Sequence, residues 1–208
     1  MKLKWNGHSC FTMTFSNGTA LITDPFADTV GYPLCTARAD AVLSSHDHFD
    51  HNHIRSVAGN PMMINKSGTC MLNGLKITGV HSFHDPEQGK LRGENVMFVV
   101  EAEGLRIGHL GDLGHMPDGE QLKAIEGLDL MLLPIGGTFT ITTPQAVELI
   151  AQAKPRTAVA MHFSNEHCGF PITDATEFVR MTGAASKPGE LEITAETKLP
   201  AAIVMKYE

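Results

Sequence analysis

Residues 44–53 read Ser-Ser-His-Asp-His-Phe-Asp-His-Asn-His, and this stretch decides how the rest of the sequence is interpreted. It follows an apolar segment that predicts a strand, and its pattern H-x-H-x-D-H falls on His46, His48, Asp50 and His51. Alternate residues of an extended segment point the same way, so His46 and His48 can converge on one ion. Asp50 and His51, where the chain turns, can face a second ion nearby. Imidazole and carboxylate together suit Zn, Fe or Mn, and a centre with an open water position is catalytic rather than structural.

One such cluster cannot complete two coordination shells, so further ligands are expected at the ends of other strands. Three residues of the required type stand at or just beyond predicted strands, namely His84, Asp112 and His162. His81 is the rival of His84 for one of these positions. We favour His84 because it falls beyond the predicted strand 75–81, whereas His81 falls within it.

The composition is that of an ordinary globular chain of 208 residues, with 42% hydrophobic and 19% charged residues and a net charge of -7. It rules out disorder, collagen and coiled coil. Because phosphate backbones are usually bound by basic surfaces, a nucleic-acid partner is not expected. No apolar run reaches the roughly 18 to 20 residues of a membrane span, and the polar start predicts no secretory signal. The four cysteines are widely spaced, which favours free thiols and a cytoplasmic setting.

Turn residues and apolar runs divide the chain into short strands and a few helices. Strands are predicted over 3–5, 11–15, 20–23, 41–44, 61–64, 75–81, 96–101, 105–109, 130–135, 157–163 and 201–206. Helices are predicted over 52–58, 118–125, 143–153 and 173–182. The pattern fits an α/β fold of two sheets with helices packed on their outer faces, and we predict one domain over residues 1–208.

The candidate ligands, taken in order, resemble the five signature positions of the metallo-β-lactamase superfamily. Asp24, in the phrase Ile-Thr-Asp-Pro-Phe, resembles the first motif, and the run 46–51 resembles the second. His84, Asp112 and His162 resemble the third, fourth and fifth. The resemblance implies a four-layer αββα sandwich, with two mixed β-sheets and helices on the outer faces.

Several local phrases are similar to one branch of that superfamily, the ascorbate-6-phosphate lactonase-like metal-dependent hydrolases. They are Gly7-His8-Ser9 and the segments 22–26, 108–112, 132–137 and 160–163. These phrases are specific for the fold and the metal site but say little about the substrate.

The resemblance also implies a ligand set for two divalent transition-metal ions, with Zn expected and Mn or Fe as alternatives. The first ion would be held by His46, His48 and His84, and the second by Asp50, His51 and His162, with Asp112 bridging both. Two cations lower the pKa of a shared water, so that a bridging hydroxide can attack a carbonyl or phosphorus centre. Asp50 and Asp112 are therefore the predicted catalytic residues, with Asp50 able to orient the water or accept its proton.

The remaining candidates for supporting or substrate roles are His8, Asp24, His109, His115, Gly136 and Gly137. Asp24 is expected to hold the ligand loop by hydrogen bonds, as carboxylates behind metal ligands do. His8 is either a proton donor or supporting residue of the site, or a plain loop residue. His109 and His115 either contact substrate or are structural. The two glycines offer backbone N–H groups near the site.

The function predicted from these residues is metal-dependent hydrolysis of a small-molecule ester, lactone or phosphoester. An anionic substrate could pair with Arg92, although a surface role for this residue is the alternative. A nuclease or phosphodiesterase of the same fold is the second hypothesis, disfavoured by the acidic balance. A di-iron redox protein is the third, disfavoured because its family pattern has Glu where this chain has His48. No membrane partner is expected, and a homo-oligomer is compatible with the sequence.

Overall fold

The structure, a computed structural model, describes residues 1–207 and builds them into two β-sheets. The first sheet has six strands: β1 (Lys2–Gly7), β2 (Cys10–Thr14), β3 (Ala20–Thr23), β4 (Ala41–Leu43), β5 (Met62–Ile64) and β13 (Glu190–Glu192). The second has eight: β6 (Gly68–Leu72), β7 (Leu75–Phe83), β8 (Glu94–Ala102), β9 (Leu105–His109), β10 (Leu130–Pro134), β11 (Thr157–Met161), β12 (Ala185–Lys187) and β14 (Ala202–Met205).

Both sheets mix parallel and antiparallel pairs, as predicted. The first has the order β13-β1-β2-β3-β4-β5, in which β3, β4 and β5 are parallel and the other neighbours antiparallel. The second has the order β12-β14-β11-β10-β9-β8-β7-β6, parallel from β12 to β9 and antiparallel from there on. Because parallel neighbours need crossover connections, the helices belong to the parallel part of the second sheet.

Three α-helices occur in residues 1–207: α1 (Gly119–Ile125), α2 (Thr143–Ala153) and α3 (Thr176–Thr182). α1 connects β9 to β10, α2 connects β10 to β11, and α3 follows β11, so all three serve the second sheet. The bounds of α2 agree with the predicted helix over 143–153. None of the helices in this part of the chain is long and apolar enough to cross a bilayer.

The main core lies between the two sheets and joins apolar side chains of both. Strand alternation decides which face each residue serves: Leu21 and Leu43 point into this core, while Ile22 and Val42 point to the opposite face. That opposite face is also buried, in a second apolar cluster with residues of the segment 26–39. The first sheet is therefore covered on both faces.

Two loop segments cover the outer face of the first sheet, one between β3 and β4 with the 3-10 turn Asp28–Val30, and one between β4 and β5 with the 3-10 turn Ile54–Ser56. The helix predicted over 52–58 is wrong in type, since only the second of these turns forms there. The physical reason is local: His53, at its N-terminus, makes no capping hydrogen bond, and the backbone leaves the helical region at Val57.

Strand ends position the polar residues that the sequence singled out. From the first sheet, Asp24 comes directly after β3 and the run 46–51 follows β4. From the second, His84 comes directly after β7, Asp112 follows β9, and His162 comes directly after β11. The two sheets thus contribute to one cluster at the same end of the sandwich.

Candidate metal centre

The histidines and carboxylates form three overlapping groups, in each of which one ligand atom per residue lies within 4.8 Å of the others. The first group is His46, His48 and His84. The second is His8, Asp50, His51 and His162, and the third is His46, His51 and Asp112. All seven residues predicted as ligands therefore meet in one place, and His8 joins them.

Asp112 stands between the first two groups. Its Oδ2 lies 3.3 Å from Nε2 of His51, 3.3 Å from Nε2 of His84 and 3.1 Å from Nε2 of His162. The other carboxylate oxygen, Oδ1, is buried and has no hydrogen-bond partner. A carboxylate in this position can reach two ions at once.

Hydrogen bonds behind His46 and His51 turn the same ring nitrogen of each toward the centre. The Nδ1 of His51 lies 2.8 Å from Oδ2 of Asp24, and because a carboxylate only accepts, this nitrogen is the donor. The hydroxyl of Ser45 donates its one hydrogen to the same Asp24 oxygen at 2.7 Å. Because Ser45 Oγ can then only accept, Nδ1 of His46, which lies 2.9 Å from it, is the donor of that hydrogen bond. Nε2 of both rings is left without a hydrogen-bond partner.

These orphaned atoms test whether the residues fit a metal. A buried polar atom without a partner costs free energy, and such atoms are rare in folded chains. Here they concentrate in the cluster: of the eight such side-chain atoms in residues 1–207, six belong to residues of the three ligand groups, among them His46 Nε2, His51 Nε2 and Asp112 Oδ1. Imidazole nitrogen and carboxylate oxygen are the donors that Zn, Fe and Mn accept. The residues fit divalent transition metals.

A second layer of contacts fixes the backbone around the ligands. Asp24 is fully buried, and its Oδ1 accepts the backbone N–H of Ser45 at 2.7 Å. On the opposite side, Oδ1 of the buried Asn95 accepts the backbone N–H of Asp112 at 3.0 Å. The amide of Asn95 in turn donates to Leu110 O and Ser82 Oγ. Both loops are therefore held before any ion binds.

The charges of the cluster shift its protonation equilibria in opposite directions. Burial disfavours the charged form of His51, but the carboxylates of Asp112, Asp50 and Asp24 outweigh it and raise its pKa well above the ordinary value. Burial, together with the neighbouring His51, lowers the pKa of His46 to about 2. Burial opposes ionisation of Asp112 as well, yet the imidazoles of His162 and His51 hold its pKa well below the usual range. The carboxylates around His51 therefore favour its charged form in the metal-free protein.

His8 enters the site through an unusual backbone conformation. Its φ of 52° lies in the left-handed region, and its carbonyl accepts from Trp5 Nε1 at 3.0 Å and from the backbone N–H of His162 at 3.3 Å. The ring then places Nε2 3.3 Å from Oδ2 of Asp50. Burial and the nearby His162 lower the pKa of His8 to about 4, so the neutral ring donates to the carboxylate.

The structure places the other predicted histidines outside the cluster. Both ring nitrogens of His109 are occupied, Nε2 by Ser9 O at 2.8 Å and Nδ1 by the N–H of Gly111 at 3.2 Å. Those of His115 are likewise occupied, by the backbone of Phe83 and Met116. These contacts hold loops together and leave neither ring free.

His81 and the two glycines are not members of the ligand groups. His81 is within β7, is exposed, and its Nε2 lies 3.6 Å from Glu94. Gly136 is needed for close packing, because a Cβ there would come within 2.3 Å of the carbonyl oxygen of His162. Gly137 has a φ of 62° and turns the chain toward Phe139.

A cavity of about 320 Å³ opens above the cluster. Its floor consists of the predicted ligands His48, Asp50, His84, Asp112 and His162. Its sides are Arg92 and three phenylalanines, Phe49, Phe139 and Phe170. Sequence reasoning missed the phenylalanines, and also Ser45 and Asn95. Only Phe49 carried a signal, since an aromatic residue inside a run of ligands has no reason to be buried.

Comparison with known proteins agrees with this geometry. The profile of the family described as "Beta-lactamase superfamily domain" matches residues 2–162. A UPF0173 metal-dependent hydrolase of Thermococcus onnurineus is 30% identical, over 92% of this chain and 98% of its own. Another UPF0173 metal-dependent hydrolase, from Pelotomaculum thermopropionicum, is 31% identical over 89% of this chain and 93% of its own. A solved crystal structure from Thermotoga maritima is also similar to this chain, and it is described as a candidate zinc-dependent hydrolase of the metallo-β-lactamase superfamily. The two structures have a TM-score of 0.83 and 33% sequence identity, and the match covers 98% of this chain and 97% of that one.

Fold, ligand cluster and relatives define the class of protein as a metal-dependent hydrolase. The chain belongs to the metallo-β-lactamase superfamily. The narrower likeness to the ascorbate-6-phosphate lactonase-like branch stays a prediction.

Proposed function

We propose that the protein hydrolyses a small-molecule ester, lactone or phosphoester at a centre of two divalent transition-metal ions. Zinc is the preferred metal, with manganese or iron as alternatives. His46, His48 and His84 would hold one ion, and Asp50, His51 and His162 the other. The observation that carries the proposal is the position of Asp112, whose Oδ2 contacts imidazoles of both sets within 3.3 Å.

Divalent cations in such a site lower the pKa of a water molecule and polarise the scissile carbonyl or phosphoryl oxygen. The chain itself must then supply a group that accepts the proton of the attacking water. Asp50 is placed for this, because it lines the cavity, and it is ionised there: burial opposes ionisation, but the adjacent His51 outweighs it and lowers the pKa of the carboxyl. A lowered pKa makes the carboxylate a weak base, so its contribution is to orient the water and to accept the proton at close range. His8, donating to Asp50 at 3.3 Å, fixes the direction of that carboxylate.

A small molecule, rather than a polymer, fits the size of the site. The cavity of about 320 Å³ lies at the lower end of the range for small-molecule pockets. The net charge of -7 also opposes a nucleic-acid substrate.

The proposal is tested by reconstituting the protein with zinc or manganese, measuring bound metal by elemental analysis, and screening phosphodiester, phosphomonoester, lactone and simple ester panels. We expect close to two ions per chain and hydrolysis in at least one panel. Less than about half an ion per chain after reconstitution would overturn the dinuclear site, because ligand affinity of this kind should fill it. Full metal with no hydrolysis in any panel would overturn the proposed substrate class.

A further inference from the structure

The sides of the cavity above the ligand cluster are not explained by metal binding. We call Phe49, Phe139 and Phe170 the aromatic wall. Phe49 and Phe170 meet edge to face with ring centroids 6.2 Å apart, and Phe139 and Phe170 do so at 6.5 Å. Phe49 is 57% exposed, at the mouth of the cavity. Apolar rings exposed around a concave polar floor are typical of a ligand-binding surface.

A cation stands beside the aromatic wall. The guanidinium of Arg92 lies 5.6 Å from the ring centroid of Phe139, and its Nη2 donates to the carbonyl of Thr138 at 3.2 Å. Among residues 1–207 no carboxylate oxygen comes within 4.0 Å of this side chain, whereas Arg156 and Arg180 both have such a partner. The remaining N–H groups of Arg92 are therefore available to an anion in the cavity.

Buried contacts hold Arg92 in place. Asp85 follows the ligand His84 directly and is fully buried. Its Oδ2 accepts the backbone N–H groups of Arg92 at 2.7 Å and Leu91 at 3.0 Å, and its Oδ1 accepts two further N–H groups of the same loop. One carboxylate thus fixes the whole segment that carries Arg92.

Thr138 connects this segment to the aromatic wall. Its carbonyl binds Arg92, its hydroxyl donates to Pro171 O at 3.0 Å, and its neighbour in sequence is Phe139. Pro171 follows Phe170, so the loops that bear the cation and two of the three rings are tied by side-chain hydrogen bonds. The cavity is formed in advance of any ligand.

From this arrangement we infer that the substrate is an anionic ester or lactone with an aromatic body. The ring packs against the aromatic wall, a carboxylate binds Arg92, and the hydrolysable bond lies over the ligand cluster. Arg92 and the aromatic wall are specificity-determining residues. The inference rests on the proposed hydrolase function, and it adds the chemical class of the substrate.

The test compares three methyl esters on the zinc-loaded protein, with proton release as the readout. Monomethyl terephthalate has a ring and a carboxylate, methyl benzoate has only the ring, and monomethyl succinate has only the carboxylate. We expect the highest kcat/KM for the terephthalate ester. Arg92→Met should lower it by about 10- to 100-fold, the usual weight of a charge-assisted hydrogen bond, and should affect methyl benzoate much less.

Further variants separate the contribution of the Arg92 charge from that of the aromatic wall, and both from a general effect of substitution on folding. Arg92→Lys should retain part of the effect of the cation. Phe170→Leu should lower kcat/KM more for the two aromatic esters than for the succinate ester. Arg55→Met and Met71→Ala are matched controls, because both side chains are exposed and neither lines the cavity, and they should behave as wild type.

A binding experiment decides the inference without any turnover. Benzenesulfonate, a poor metal ligand that carries both ring and negative charge, is titrated into the zinc-loaded protein and followed by ligand-observed NMR. Binding by wild type that Arg92→Met weakens about tenfold or more supports the inference. Equal binding by wild type and Arg92→Met, or none by wild type, overturns it. Failure of wild type to hydrolyse any compound of the phosphodiester, phosphomonoester, lactone and ester panels counts instead against the proposed function. Hydrolysis in those panels with no preference for the terephthalate ester over the other two counts against the inference.

Discussion

Asp24 never contacts the cavity, yet its removal should weaken metal binding. Asp24→Ala deletes the acceptor for His51 Nδ1 at 2.8 Å and for the N–H and hydroxyl of Ser45, both at 2.7 Å. The first contact directs Nε2 of His51 into the centre. Loss of such a partner behind a metal ligand typically lowers affinity by about 10- to 100-fold, which corresponds to about 1.4 to 2.7 kcal/mol.

The same substitution should also reduce the free energy of unfolding. The N–H of Ser45 and the ring N–H of His51 would be left buried without a partner, at about 1 to 3 kcal/mol for each. The contact with His51 therefore affects both metal binding and stability, whereas the contacts with Ser45 affect stability, and each effect needs its own measurement.

Zinc affinity is measured by competition with a chromophoric chelator, and stability by urea unfolding of the metal-free variants. Excess zinc should restore much of the activity of Asp24→Ala on whichever substrate is found. Asp40→Ala is the matched control: Asp40 also accepts a backbone N–H, that of Ala20 at 2.9 Å, but at the opposite end of β3 and exposed. Wild-type zinc affinity in Asp24→Ala, or a loss that excess zinc does not overcome, would refute the reasoning.

Three further predictions concern the candidate ligands themselves. His84→Ala should lose metal and activity while His81→Ala, a change on the exposed face of β7, should retain its metal by elemental analysis; the reverse result would exchange the two assignments. Asp112→Ala should leave one site impaired, and no excess of zinc should restore hydrolysis, so near wild-type turnover in this variant would disprove a bridging role. The raised pKa of His51 keeps it protonated in the metal-free protein at neutral pH, and zinc must displace that proton. Zinc affinity should therefore rise about tenfold per pH unit below that pKa and level off above it. Calorimetry in buffers of different ionisation enthalpy would count the released proton, and a pH-independent affinity would contradict the assignment.

The candidate ligands could be located from the sequence because each follows a predicted strand. The run 46–51 leaves a buried strand, and His162 follows another directly, where polar side chains meet at one edge of the sandwich. The choice between His81 and His84 was a matter of where β7 ends, which is at Phe83. The placement of these residues could therefore be inferred from the sequence, while their roles as ligands are still to be tested.

Other features depend on partners far away in sequence and could not be predicted. The strands β6, β12 and β13 have no continuous apolar run; β13, for example, forms only because Leu191 pairs with Leu3 across almost the whole chain. The hydrogen bonds of Asn95 to the Asp112 loop, and the meeting of Phe49 with Phe170, likewise appear only once the two sheets are packed. Local pattern carries no information about such contacts.

The cluster draws its ligands from both sheets, so bound metal would act as a cross-link between the two halves of the sandwich. Pulling the sheets apart would then require breaking coordination bonds as well as exposing the core. By mass action, the stability of the fold becomes a function of free metal: about 2.7 kcal/mol is gained at a concentration one hundred times the dissociation constant. A thermal melt repeated at rising zinc concentration reads this coupling directly, and a midpoint that does not move would show that the sheets hold together without it. Where free metal is scarce, the protein would then lose stability as well as activity.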